Sequence, residues 1–182
     1  QELCGVLNTT LEGTAHSYQA GSDHAGSTVG WTQQSGPGTI IFTDATDPET
    51  DITTDLYGSY VLRWTETNGN CSRSDDVTID FNEDPTGLSA GGDQELCGVL
   101  NTTLEGTAHS YQAGSDHAGS TVGWTQQSGP GTIIFTDATD PETDITTDLY
   151  GSYVLRWTET NGNCSRSDDV TIDFNEDPTG LS

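Results

Sequence analysis

This sequence predicts an all-β protein of two identical antiparallel β-sandwiches in tandem, about seven strands each. Three observations carry that reading. Residues 1–89 recur unchanged as 94–182, so Gln1 matches Gln94, Cys4 matches Cys97 and Trp31 matches Trp124, with Ala90–Asp93 between the copies. A period of 93 residues is too long for a solenoid unit and suits a whole small domain. Within each copy no 3.6-residue apolar period occurs, while Gly, Thr, Ser and Asp are frequent. Several short stretches instead alternate apolar and polar residues with period two.

The elements follow in order. Gln1–Leu7 reads as a first strand carrying Cys4, and Thr10–Ala15 as a second with Leu11 inward. Ser17–Ser27 is a polar, Gly-rich loop. Val29–Gln34 is a third strand with Val29 and Trp31 on one face. Ser35-Gly36-Pro37-Gly38 is a turn by composition. Thr39–Thr43 follows as a strand, with Ile40 and Phe42 on one side and Ile41 on the other. Asp44–Glu49 is a turn, and Thr50–Thr54 a short strand with Ile52 inward. Gly58–Thr67 is the clearest strand: Tyr60, Leu62 and Trp64 alternate with Val61, Arg63 and Thr65, so the aromatic set faces the core and Arg63 faces out. Asn68-Gly69-Asn70 is a hairpin turn, and Asp76–Phe81 the last strand, with Val77, Ile79 and Phe81 on one face. The expected core is Trp31, Tyr60, Leu62 and Trp64, repeated as Trp124, Tyr153, Leu155 and Trp157. The expected domains are 1–89 and 94–182, with 90–93 as linker.

Charge narrows the partners. Each copy carries 14 acidic residues against Arg63 and Arg73, Lys is absent, and Asp93 completes a net charge of −25. So acidic a chain repels phosphate, which excludes nucleic acid and disfavours anionic membrane surfaces. It suits divalent-cation binding, solubility at high salt, or a long surface polymer kept apart by self-repulsion. No apolar run reaches the ~20 residues of a membrane helix. The chain starts and stops at the same phase of the repeat and lacks Met, which predicts a window on a longer array.

Four cysteines allow three pairings. Two separately folding beads favour pairing within each copy, Cys4–Cys71 and Cys97–Cys164. Such a bridge closes about 67 residues and contributes roughly 4 kcal/mol in the chain-entropy account. Free thiols and a two-Cys metal site are the alternatives, the latter disfavoured because there is no CxxC and His16 and His24 lack ligand spacing. A disulfide predicts a location outside the cytosol.

The landmarks Asp93-Gln94-Glu95-Leu96-Cys97-Gly98, Trp31-Thr32-Gln33-Gln34-Ser35-Gly36-Pro37, Gly58-Ser59-Tyr60-Val61-Leu62-Arg63-Trp64 and Asn68-Gly69-Asn70-Cys71 before Asp75-Asp76-Val77 form an ordered set. With them each copy resembles the PKD-like, immunoglobulin-like domains of bacterial surface proteins. The Cys-bearing version is similar to repeats of giant Bacteroidota-type adhesins, including SprB-like gliding-motility adhesins exported by the type IX system. The resemblance implies a β-sandwich displayed extracellularly on the cell surface, with a stalk or adhesin role in adhesion or gliding. Trp64 departs from the family pattern, which has an aliphatic residue there.

No GxSxG, HExxH or phosphate-binding glycine loop is present, so no catalytic residue is assigned and the chain is not read as an enzyme. No cofactor is required. Calcium is the one candidate ion, at the domain junction through Asn82, Glu83, Asp84, Asp93 and Glu95, or in the acidic loop Asp44–Asp51 with Asp55. The competing reading is solvated acidic loops that keep sheet edges unpaired. Gly87, Gly91 and Gly92 argue for a flexible hinge at the junction. Trp31, Trp64, Tyr18, Tyr57 and Tyr60 could stack on sugars, although core packing is the expected role of both Trp. Asn8-Thr9-Thr10, its copy at Asn101, and Asn70-Cys71-Ser72 fit the N-glycosylation pattern. The expected function is a spacer in a long surface adhesin or filament. Its partners are neighbouring repeats, with surface glycans or other cells met at a distal tip. A glycan- or cell-binding module and a laterally associating matrix protein are the alternatives.

Overall fold

In the computed structural model, which describes residues 1–20, 22 and 24–178, every regular element is a strand. The first unit comprises Gln1–Glu83 with Tyr111–Ala118, and the second Asp84–Ser110 with Gly119–Ser182. The second unit thus begins at Asp84, ahead of the 90–93 segment read as linker. Tyr111–Ala118, most of the second copy of the Gly-rich loop, belongs to the first unit.

In the first unit β1 (Glu2–Cys4), β2 (Asn8–Thr10), β3 (Thr28–Ser35), β4 (Ile41–Phe42), β5 (Asp51–Thr53), β6 (Gly58–Asn68) and β7 (Cys71–Asn82) form two sheets. Their orders are β1-β7-β6-β3 and β2-β5-β4. In the second unit β8 (Gln94–Cys97), β9 (Asn101–Thr103), β10 (Thr121–Ser128), β11 (Ile134–Phe135), β12 (Asp144–Thr146), β13 (Gly151–Asn161) and β14 (Cys164–Asn175) repeat the arrangement as β10-β13-β14-β8 and β11-β12-β9. One pairing departs from the antiparallel expectation: β1 runs parallel to β7, and β8 to β14. The chain leaves β1 for the opposite sheet instead of turning back in a hairpin, so a parallel edge pair is free to form.

The period-two reading of the long hairpin is confirmed side chain by side chain. Tyr60, Leu62, Ile79 and Phe81 are wholly buried, and Trp31 and Trp64 lie beside them. The two Trp are cross-strand partners with ring centroids 5.3 Å apart. Arg63 faces out, its Nε and Nη2 donating to Asp76 Oδ1 and Oδ2 at 2.6 and 2.7 Å. Ile40 is buried while Ile41 is 66% exposed, as the alternation requires. Gly69 adopts φ 61 in the two-residue connection between Asn68 and Cys71, the hairpin position that favours glycine. Tyr60 closes the core: its hydroxyl donates to Leu56 O at 2.8 Å, lies 2.7 Å from Thr54 Oγ1 and accepts from Gly38 N. A tyrosine bonding backbone a few residues upstream is a hallmark of immunoglobulin-type sandwiches.

The expected second strand, Thr10–Ala15, is regular only up to Thr10. Beyond it Leu11 N and Gly13 N still donate to Thr50 O and Pro48 O. Gly13 sits so close to Pro48 that a Cβ there would lie 2.5 Å from its carbonyl oxygen, and this approach breaks the pleat.

The cysteine pairing within each copy is overturned. Cys71 and Cys97 are free, exposed thiols, so neither Cys4–Cys71 nor Cys97–Cys164 forms. Register gives the reason. Cys4 lies opposite Asn82 at the end of β7, whereas Cys71 begins that strand opposite Asn68. At the usual rise per residue the two ends are about 36 Å apart, far beyond the ~7 Å Cα separation a disulfide tolerates. Cys97 and Cys164 are separated in the same way along β14.

Candidate functional site

The inward face of β6 does not stop at its aromatic residues. Trp64 is followed on the same face by Glu66 and Asn68, so the apolar core gives way to polar groups toward the hairpin tip. The Trp64 Nε1–H donates to Glu66 Oε1 at 2.9 Å, and the same oxygen accepts from His16 N at 2.8 Å. The Trp64 hydrogen bond holds the Glu66 carboxyl below the ordinary carboxylate range; partial burial opposes it and the His16 backbone N–H adds to it. This carboxylate thereby fixes the start of the Gly-rich loop. There the Tyr18 ring lies between His16 and His24, centroids 4.8 and 4.2 Å away. The result is a groove of about 620 Å³ along Thr14, His16, Tyr18, Trp64, Glu66 and Arg73. It adjoins a second hollow of about 550 Å³ lined by Leu11, Trp31, Trp64, Asp75 and Val77.

The junction residues expected to hold calcium divide between the units, Asn82 and Glu83 in the first and Asp84, Asp93 and Glu95 in the second. Their oxygens meet protein donors. Glu83 Oε2 accepts from Gln112 N at 2.8 Å, and Asp84 takes a bidentate ion pair from Arg166 at 2.6 and 2.8 Å. Asp93 Oδ1 accepts from Thr171 N, and Glu95 Oε1 faces Asn175 Nδ2 at 3.4 Å. Arg166 holds the Asp84 carboxyl below its ordinary range. In the acidic loop, Asp44 Oδ1 accepts from Thr46 N and Thr46 Oγ1, and Asp47 Oδ1 from Glu49 N. These are turn-forming hydrogen bonds between an aspartate and the backbone two residues on. Among the described residues no group of three or more His, Cys, Asp or Glu lies close enough to share a metal ion.

The aromatic platform is divided as well. Trp31, Tyr60 and Trp64 are core residues, Tyr57 packs partly buried against that core, and Tyr18 remains half-buried in the groove. Asn8, Asn101 and Asn70 are exposed.

Sequence reasoning missed the segment Asp84–Asp93. Ala90 is buried with Leu104, Trp124, Trp157 and Val170, and Leu88 packs against them. Ser89 and Thr107 exchange backbone hydrogen bonds of 2.8 and 2.9 Å, and Ala90 N donates to Asp168 Oδ2 at 2.9 Å. Gly91, read as a hinge, is held at φ 84 with a Cβ position 2.6 Å from Glu105 O. The available signal was a pair of apolar residues, Leu88 and Ala90, inside a stretch classed by its glycines.

No family model matches the chain, and no curated protein matches it. Solved structures do match. Extracellular domains 3–5 of Drosophila OTK align at TM-score 0.55 and 15% identity, over 82% of this chain and 52% of that one. Sidekick-1 immunoglobulin domains 1–5 align at TM-score 0.55 and 13% identity, over 96% and 37%. Both units have the immunoglobulin-like fold. Titin domains I67–I69, in an E-to-A mutated variant, align at TM-score 0.50 and 14% identity over 96% of this chain. This chain spans 62% of that titin fragment. The PKD domain of the KIAA 1837 protein, at 26% identity and TM-score 0.41, covers 52% of this chain. Among the described residues no helix is long and apolar enough to cross a membrane.

Proposed function

We propose that this chain is a pair of spacer repeats from a long extracellular adhesin or filament, built to hold a binding tip away from a cell surface. The observation that carries the reading is the unbroken repetition of a whole immunoglobulin-like sandwich, with the residues between the copies built into the second unit. A spacer gains from every identical copy, whereas a ligand-specific or catalytic domain gains little. Consecutive domains also make up the solved structures this chain matches, titin I67–I69, extracellular domains 3–5 of OTK and immunoglobulin domains 1–5 of Sidekick-1. The strong negative charge supports the same role by opposing misassociation of identical neighbours. Display on a bacterial surface, in adhesion or gliding motility, belongs to this proposal through the PKD-like resemblance. So does calcium, as a stiffener of the array.

Small-angle scattering of the two-repeat chain in calcium and in EDTA tests it. An extended particle in both, or one stiffened by calcium, is expected. A compact or dimeric particle in both overturns it in favour of lateral association. A glycan array adds a second check: binding lost on Trp64→Ala in a folded chain would replace the spacer with an adhesive module.

A further inference from the structure

We propose that the groove over Trp64 and Arg73 in the first unit is a docking site for a second copy of the segment Asp84–Asp93. Each repeat is then completed by the ten residues that precede it. The second unit displays the docked state of this segment. Asp84 is gripped by Arg166, Ser89 pairs with Thr107, Ala90 N bonds Asp168, and Gly91 presses on Glu105. Ninety-three residues earlier, the same receiving groups stand in the first unit as Arg73, Thr14, Asp75 and Glu12.

Those groups show what receiving the segment does. Trp157 and Val170, which share a core with Ala90, are 0% and 2% exposed. Their counterparts beneath the first unit's groove are more open: Trp64 is 7% exposed and Val77 only partly buried. Thr14 makes no backbone hydrogen bond among the described residues, although its copy Thr107 makes two to Ser89. Charge points to the same occupant. Of the four basic residues, Arg63, Arg156 and Arg166 are paired with Asp76, Asp169 and Asp84. Arg73 is exposed and has no ion-pair partner among the described residues. The segment brings an aspartate for that arginine, a backbone edge for Thr14 and two apolar side chains for the hollow. This is strand addition of the kind that gives affinity through the main chain and specificity through pockets.

The test extends the chain with a second copy of Asp84–Asp93 directly ahead of Gln1. The indole N–H resonance of Trp64 is followed by NMR after assignment with Trp64→Phe. In the extended chain it is expected to move onto that of Trp157, because the two environments become alike, and a scrambled extension is expected to leave it in place. Arg73→Gln in the extended chain is expected to return it toward the parent position; this exposed side chain can change without loss of the fold. An unmoved resonance, or equal movement with the scrambled extension, overturns the proposal. The inference deepens the array reading and rests on it only for its setting. Its readout is local, so it fails independently of the scattering experiment.

Discussion

At the scale of single residues, stability rests on a few positions where geometry leaves no alternative. Gly36 has φ 145, and a Cβ there would lie 2.2 Å from the Tyr60 ring, whose hydroxyl organises the turn above it. Gly69 has φ 61 but open space around it. Gly36→Ala must therefore displace a buried aromatic ring as well as strain the backbone, whereas Gly69→Ala only strains the backbone. Urea unfolding is expected to show a loss of about 3 kcal/mol for Gly36→Ala and about 1 kcal/mol for Gly69→Ala. Equal losses would mean that the Tyr60 ring yields easily and that this corner is not rigid.

At the scale of elements, the long hairpin β6–β7 organises each sandwich, and its ends define two chemically different poles. One pole has Cys71 at the tip and Arg73 beside it; the other has Cys4 alongside Asn82. A strand about 36 Å long separates them, so the two cysteines of one copy, paired in the expected scheme, are remote in the fold. Reaction of the native chain with a thiol reagent is expected to modify Cys71 and Cys97, and Cys71→Ser with Cys97→Ser to abolish native reactivity. A native chain with no reactive thiol would mean that Cys71 and Cys97 are bridged as well, contrary to their free, exposed state here.

At the scale of the whole molecule, the charge of −25 sets up two opposing dependences on pH. Most carboxylates have no cationic partner, and their mutual repulsion weakens as they protonate. A smaller set is held low by specific donors: Asp76 by Arg63, Asp169 by Arg156, Asp84 by Arg166 and Glu66 by Trp64. A carboxyl whose folded pKa is depressed stabilises the fold above its unfolded value, and that contribution is lost as pH falls through the folded value. The melting temperature followed by circular dichroism is thus expected to rise from pH 7 toward about pH 4.5, then fall below about pH 4 as the held carboxylates protonate. A steady fall from pH 7 downward would show that pairing outweighs repulsion throughout.

Alternation along Gly58–Thr67 and Asp76–Phe81 was enough to read which faces are buried, since neighbouring side chains on a strand point opposite ways whatever the rest of the fold does. Tyr60, Leu62, Trp64, Ile79 and Phe81 were legible on that ground, as were Ile40 and Ile52. The turn at Gly69 and the outward Arg63 were equally local. The pole at which each cysteine lies was not legible, because it depends on β1 pairing parallel to β7 in a register set some 78 residues away. The hydrogen-bond partners of the acidic residues read as candidate cation ligands were not legible for a related reason. A carboxylate's partner is decided by folding, and here the partners are Arg166, Thr46 and backbone N–H groups. Gly91 looked like a hinge because glycine permits freedom in an isolated chain. In the fold the same lack of a side chain lets its backbone lie against Glu105, and close packing turns permissiveness into constraint.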